Sequence, residues 1–211
     1  MAVSVLFFVE GFVAASWFVR IPEVKDRLNL SSGELGISLL SLTVGLIVAM
    51  PLVGWLLTRI DSRAVARVTA FLFVIMPVLP VLAVDQLTLM AGLALYGATS
   101  GVLDVAINVQ GSTVEARMHR PVMSSFHGLY SAGGIVGSAL GGGLAALGLS
   151  PRVHLLLVAL IFGLLGGVMA GRLLPEDAAH HERPPMFARP TRLLAILGII
   201  APVGHVEAKV F

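Results

Sequence analysis

Six apolar runs, each close to the length needed to cross a lipid bilayer, constrain this chain more than any other feature. A spanning helix needs about 20 mostly apolar residues, because the hydrocarbon core is about 30 Å thick. Only helices and closed barrels satisfy their own backbone hydrogen bonds in lipid. The sequence therefore predicts an all-α membrane protein with a six-helix transmembrane bundle. The runs are Val3–Val19, Leu35–Leu57, Ala64–Val84, Leu87–Val109, Val122–Leu147 and Val153–Leu174.

The composition supports lipid as the solvent of this chain. Hydrophobic residues make up 57% of the sequence and charged residues only 12%, against about 25% charged residues in ordinary soluble domains. The net charge is only +2 and the basic residues are spread along the links, which argues against a nucleic-acid partner. The chain has no cysteine, so disulfides and thiolate metal sites are excluded.

Local signals predict where some helices begin or bend. Ser31 and Glu34 fit a capping box at the start of the second run. Pro51, Pro77 and Pro80 lie inside the second and third runs, where we expect kinks that neighbouring helices accommodate.

The chain changes character after the sixth run. Residues 175–191 are rich in proline, histidine and charged residues, which predicts a solvated cytoplasmic linker. The next apolar run, Leu193–Gly204, has only 12 residues before charged residues return. We therefore expect a bundle over residues 1–174, the linker over 175–191 and an incomplete seventh transmembrane helix over 192–211.

The basic residues of the links predict the orientation of the bundle. Cytoplasmic links carry an excess of Lys and Arg. With the N-terminus inside, nine basic residues lie in inner links and four in outer links. The sequence thus predicts a multi-pass protein of the cell (inner) membrane with a cytoplasmic N-terminus.

A carboxylate, Asp104, lies inside the fourth apolar run. Ionised groups at membrane depth are unfavourable and usually mark an ion, proton or substrate path. One helix face carries it within an arc of roughly 80°, together with polar and small residues. This face predicts a polar cavity or a close neighbour, with structural pairing of Asp104 to an arginine as the alternative. Its members are Gly97, Gly101, Asp104, Asn108, Gly111 and Glu115.

Glu10 is a second candidate proton or substrate group, in the first run. It shares a helix face with Trp17, which is a candidate for the substrate path. The alternatives are that Glu10 reaches the cytoplasmic interface and that Trp17 is an interfacial anchor.

The fifth run has a polar stripe beside a glycine stripe. His127 and Ser131 belong to the polar stripe, while Gly133, Gly137 and Gly141 repeat every four residues and favour close helix packing. His127 has no second ligand at metal-binding spacing, so we expect neither a metal nor a cofactor.

The link between the second and third runs, Gly54-Trp-Leu-Leu-Thr-Arg-Ile-Asp-Ser-Arg63, resembles the loop signature of the major facilitator superfamily. Gly54, Leu56, Arg59 and Arg63 match that signature. The resemblance implies the N-terminal half of such a transporter, built as a three-plus-three inverted repeat. It also implies a cytoplasmic gating role for Arg59 and Arg63, and we expect Glu115 to form a salt bridge with one of them.

Gly101–Asn108, followed by Ser125-Phe-His-Gly128, is similar to the proton-coupled fucose permease branch of that superfamily. The resemblance implies that Asp104 binds the coupling proton and that Asn108 and His127 line the sugar path. Exporters of the superfamily often have a Gly-Pro motif in this helix, but no proline lies between Val122 and Ser150. The resemblance therefore implies uptake in preference to export.

These features predict a proton-coupled secondary transporter of a small polar solute that works by alternating access, and the fucose permease resemblance implies a sugar. Its expected partners are the bilayer, the solute, protons and a missing C-terminal half or partner chain, since the chain looks truncated. The alternatives are a non-transporting membrane scaffold and half of an exporter. A membrane enzyme using Asp104 and His127 is a further alternative, but no nucleotide-binding or hydrolase motif occurs, so we expect no enzyme.

Overall fold

The computed structural model describes residues 1–174, which form eight α-helices. The predicted linker and seventh helix lie outside the described residues. Five segments are long and apolar enough to cross a membrane, and a shorter apolar helix covers Pro151–Gly166. The predicted all-α membrane class is therefore confirmed. The helices are α1 (Ala2–Phe18), α2 (Ile21–Arg27), α3 (Ser32–Leu57), α4 (Ser62–Ile75), α5 (Val78–Leu82), α6 (Gln86–Met118), α7 (Met123–Ala146) and α8 (Pro151–Ala170).

The prolines act differently in the second and third runs. The third run is divided, because α4 ends at Ile75 and α5 begins at Val78, directly after Pro77. Proline has no backbone N–H and clashes with the preceding turn, so it interrupts the helical ladder. In contrast, α3 continues through Pro51 as one helix of 26 residues.

Caps fix the starts of the long helices. Ser31 and Glu34 form the predicted capping box, with the Ser31 backbone N–H donating to Glu34 Oε2 over 2.8 Å. Asp85 and Thr88 form a second capping box at α6. This helix extends nine residues past the predicted end at Val109, to Met118, and stops where His119 adopts a left-handed φ of 52°.

Two helix pairs have the closest backbone contacts. A Cβ atom added to Gly133 of α7 would lie 2.1 Å from the Phe8 carbonyl oxygen of α1. A Cβ atom added to Gly97 of α6 would lie 1.9 Å from the Leu42 carbonyl oxygen of α3. Only glycine permits these approaches, which is the usual basis of tight helix association in membranes.

These pairs, α1–α7 and α3–α6, have reciprocal positions in the chain. Helices α1, α3 and α4–α5 form the first set of three helical segments, and α6, α7 and α8 form the second. In both pairs, the first segment of one set packs against the second segment of the other. This arrangement fits the three-plus-three repeat that the loop resemblance implied.

Because successive helices run in opposite directions, the links alternate between two ends of the bundle. We call the end with residues 19–31, 83–85 and 147–150 the α2 end. The opposite end carries residues 58–61, 119–122 and 171–174.

Candidate functional site

Two carboxylates lie on helices that contact each other and α7, one on α1 and one on α6. Glu10 of α1 is buried, with 4% of its surface exposed, and its Oε2 atom has no hydrogen-bond partner among the described residues. Asp104 of α6 is exposed, and Glu10 lies within the electrostatic field of its carboxylate. A buried polar atom without a partner is unfavourable by about 1–3 kcal/mol, so Glu10 is a candidate for a role other than stability.

Asn108 binds Asp104 one helical turn away. Its side-chain Nδ2 donates to Asp104 Oδ1 over 2.9 Å and to the Asp104 backbone carbonyl over 2.8 Å. Within the described residues no arginine pairs with Asp104, so a purely structural ion pair is not what this carboxylate forms. The amide holds the Asp104 side chain in place and leaves its other oxygen accessible.

His127 lies opposite Asp104, near the start of α7. Its exposed ring meets the edge of Phe7, with the ring centroids 5.3 Å apart, and it lies in the electrostatic field of Asp104. Ser131, one turn further, is also exposed, but its hydroxyl donates to the His127 backbone carbonyl over 3.1 Å. The His127 imidazole is therefore more available to a solute than the Ser131 hydroxyl.

Exposed polar side chains occur inside α6 and α7, and we group four of them as the polar surface. Groups of this kind in a membrane segment face a water-filled cavity or another protein surface, because lipid does not solvate them. In contrast, α3 and α8 expose many large apolar side chains, which suit lipid. The polar surface comprises Asp104, His127, Tyr130 and Ser131.

Trp17 lies inside the bundle. Only 1% of its surface is exposed, and its Nε1 donor has no partner among the described residues. Glu10 and Trp17 thus both lie in the interior of the described bundle. The alternative predictions placed both side chains at the membrane interface, where neither lies.

The α6 glycine face divides between two neighbours. Gly97 and Gly101 pack against α3, whereas Gly111 lies against the Met123 and Phe126 side chains of α7. Asp104 projects between these contacts. The single face thus combines close neighbours, at its glycines, with an exposed carboxylate at Asp104.

A sequence profile described as Major Facilitator Superfamily matches residues 3–205. The chain belongs to this superfamily. Its match covers nearly the whole sequence, so the membership that the loop signature predicted is confirmed. Members of the superfamily are multi-pass membrane transporters and not enzymes, which leaves the membrane-enzyme alternative without support.

Two curated relatives are named as transporters. An uncharacterised MFS-type transporter of Yersinia pestis is 34% identical over 92% of this chain and 50% of its own length. An uncharacterised transporter of Sinorhizobium fredii is 32% identical over 92% of this chain and 52% of its own length. The chain spans about half the length of these relatives.

A solved structure shows the fold. The crystal structure of the nucleoside transporter NupG superposes with a TM-score of 0.65, covering 96% of this chain and 49% of that one. The sequences are only 12% identical, so the likeness extends to the fold alone.

The superfamily loop lies at the end opposite α2, where its arginines make separate contacts. Arg59 stacks over the Trp55 ring, 5.0 Å from its centroid. Arg63 and Arg67 both donate to the Gly171 carbonyl oxygen at the end of α8, over 3.5 and 3.0 Å. These contacts join the start of α4 to the end of α8.

The predicted pairing of Glu115 with Arg59 or Arg63 is wrong in the described part of the chain. The Glu115 carboxylate accepts instead from the backbone N–H groups of Val122 and Met123, over 2.7 and 2.9 Å. Those donors begin α7 and have no partner within the helix, so a nearby carboxylate stabilises them. Glu115 is thus a helix cap supplied by the preceding helix.

Sequence reasoning missed several buried polar residues. Gln110 is fully buried and donates to Ser62 Oγ over 2.8 Å and to the Leu174 carbonyl over 3.1 Å. Arg20 and His154 are also buried and bonded to each other. Their signal was available, since Gln110 directly follows a predicted span and His154 lies inside one. In the described residues no group of three or more His, Cys, Asp or Glu could hold a metal ion.

Proposed function

We propose that this chain forms the N-terminal half of a proton-coupled carrier of a small polar solute. Asp104 and Glu10 bind the coupling proton, and Asn108, His127, Ser131 and Trp17 line or support the solute path. The carrier works by alternating access, with its solute site between this bundle and a second half.

One observation carries the proposal: Glu10, buried on α1, lies within the electrostatic field of Asp104, which is exposed on α6. Like charges repel in a site of low dielectric constant, so a proton bound at either carboxylate relieves the repulsion. Because the groups belong to α1 and α6, that relief changes the relative stability of arrangements of these helices. A carrier needs such a link between proton occupancy and conformation.

The polar surface also requires a cover. Asp104 and His127 are exposed within segments apolar enough to cross a membrane. The matched relatives are about twice as long as this chain, which supports a second bundle as the covering element. We assign residues 175–191 to the linker and 192–211 to the start of a seventh helix on the same basis.

The solute is expected to be neutral and rich in hydroxyl groups. His127 is exposed and Asn108 is partly exposed, and both side chains offer hydrogen-bonding groups. Such groups suit the hydroxyl groups of a sugar, in keeping with the fucose permease resemblance.

A scaffold role is less well supported. Polar residues that only pack helices are expected between them, yet Asp104 and His127 are exposed. The close helix contacts are made by glycines instead.

The proposal is tested in proteoliposomes that contain this chain together with a second six-helix half. Radiolabelled L-fucose and a panel of neutral sugars are offered under an imposed pH gradient. We expect Asp104→Asn to abolish gradient-driven accumulation while exchange of labelled for unlabelled sugar persists. Accumulation in the Asp104→Asn variant equal to that of the parent chain would contradict the proton role.

The matched control is Asp26→Asn, which removes the same charge from an exposed position on α2. It should leave both accumulation and exchange unchanged. Reversing the gradient in the same vesicles distinguishes uptake from export.

The cytoplasmic position of the N-terminus is also part of the proposal. Because the chain has no cysteine, single cysteines report sidedness directly. We expect a membrane-impermeant maleimide to label Asp26→Cys, at the α2 end, from outside intact spheroplasts, and Arg120→Cys only after lysis. The reverse pattern would invert the assigned orientation.

A further inference from the structure

A cavity at the α2 end, separate from the carboxylate site, is lined by arginines. It has a volume of about 370 Å³ and lies between α2, the end of α5 and the start of α8. Arg27 and Arg152 line it together with Glu23 and Ser150, while Val24 and Val81 supply apolar wall. We call it the arginine pocket.

The two arginines hold like charges close together. Both side chains are exposed, and the Arg27 guanidinium lies in the electrostatic field of Arg152. Two cations that share a pocket repel each other, and an anion between them removes that repulsion.

Glu23, the carboxylate of the pocket, is already engaged. Its Oε1 accepts from Arg20 Nη1 over 2.6 Å. Arg20 is fully buried and also donates from Nε to His154 Nδ1 over 3.0 Å, so its position is fixed from both sides. The Arg20 charge therefore balances Glu23, and the charges of Arg27 and Arg152 are left over.

The other carboxylates at this end lie outside the pocket lining. Glu34 belongs to the Ser31 capping box and Asp85 to the Thr88 capping box. Asp26 is exposed on α2 but does not line the cavity. The lining itself holds two arginines against one carboxylate, so it carries a net positive charge.

The start of α8 adds to this excess. Ser150 caps the helix by accepting from the Val153 N–H, and Pro151 follows it. The first turn of a 20-residue helix carries partial positive charge, which favours an anion at that position. Arg152 extends from this same turn.

We propose that the arginine pocket binds a phosphate group, carried by an anionic phospholipid headgroup or by a free phosphate. Guanidinium groups match phosphate oxygens in pairs of parallel hydrogen bonds. The apolar wall beside the arginines also suits the glycerol part of a headgroup.

The test uses the full chain, purified and placed in nanodiscs of pure phosphatidylcholine. Phosphatidylglycerol is added to one series and inorganic phosphate to another, and thermal unfolding and retained lipid by native mass spectrometry are measured. We expect phosphatidylglycerol, inorganic phosphate or both to raise the unfolding temperature. The double substitution Arg27→Gln with Arg152→Gln should weaken that binding by about tenfold or more.

A charge-matched control, Lys25→Gln with Arg120→Gln, changes the net charge equally without touching the pocket lining. It should retain parental binding. Stabilisation by phosphatidylglycerol alone assigns the site to a headgroup, and stabilisation by both ligands assigns it to phosphate in general. No stabilisation by either, or equal stabilisation in the Arg27/Arg152 variant, would overturn the proposal. Circular dichroism of the variants excludes loss of folding as the cause.

Discussion

The helix pairs α1–α7 and α3–α6 share one kind of contact but differ in their surroundings. In each pair a glycine meets a carbonyl oxygen of its partner helix, with Gly133 against Phe8 and Gly97 against Leu42. In the span that contains α1, 61% of the apolar segment is buried, whereas only 22% of the corresponding segment of α3 is buried. Both spans are similarly apolar, so hydrophobicity alone does not explain the difference.

Charged residues explain it better. The span that contains α1 carries Glu10 and Arg20, both buried, while α3 has no charged residue after Glu34 in its first turn. Polar groups in lipid are unfavourable, so a helix that carries them is taken inside the bundle. Apolar length thus selects the membrane, and the few charges select which helix lies at the centre.

The largest expected effect comes from filling the glycine contacts. Gly97→Val and Gly133→Val each place side-chain atoms where a backbone carbonyl already lies, 1.9 and 2.1 Å from the new Cβ. Overpacking typically destabilises by about 1–3 kcal/mol, and backbone clashes fall at the upper end. We expect both variants to lose the monodisperse peak in size-exclusion chromatography.

Gly142→Val is the control, because an added Cβ there meets nothing within 4 Å. It should elute like the parent chain. If one pair tolerates valine and the other does not, the two contacts are not equivalent and the repeat comparison breaks.

The next largest effect compares the removal of two buried ionisable side chains in the first span, Arg20 and Glu10. Arg20→Leu leaves the buried His154 Nδ1 without its donor and frees Glu23, so we expect the free energy of unfolding to fall by about 1–3 kcal/mol. Glu10→Leu removes a buried oxygen that has no partner, so the free energy of unfolding should rise by about 1 kcal/mol. Denaturation in one detergent measures both.

Arg20→Lys sharpens this pair of results. A lysine ammonium does not reproduce the two directed donors that Arg20 uses, so stability should not return to the parental value. Equal destabilisation by Glu10→Leu and Arg20→Leu would show that Glu10 serves the fold and not the carrier.

The smallest effect concerns how α3 and α7, one helix from each pair, are capped at their N-terminal ends. Helix α3 is capped locally by Ser31, whereas α7 is capped from a distance by Glu115. Ser31→Ala and Glu115→Ala should each destabilise by about 1 kcal/mol. Hydrogen exchange should accelerate at the Val122 and Met123 amides in Glu115→Ala only. Unchanged exchange at those amides would contradict the cap assignment.

The sequence predicted much of the fold because its strongest signals are local. Apolar length defined the spanning runs, and the Ser31–Glu34 spacing located the start of α3. The division of the third run at Pro77, and not of the second at Pro51, depends on neighbouring helices and could not be read from the prolines alone. The partner of Glu115 was missed for the same reason, since charge pairing from sequence considers opposite charges and not the unpaired amides of an adjacent helix.

The same limit of prediction from the sequence applies to the candidate site. Asp104 and Asn108 could be paired from the sequence, because a spacing of four residues places them on adjacent turns of one helix. The approach of Glu10 to Asp104, and the joining of Arg20 to His154 over 134 residues of sequence, depend on which helices pack together.

The sequence by itself determined that this chain is a helical membrane protein of the major facilitator superfamily and which side chains are costly in lipid. Only the tertiary structure decided which of those side chains are buried, exposed or paired. The physical reason is range: helix formation and membrane partition depend on residues within a few turns, whereas burial and pairing depend on contacts between distant helices.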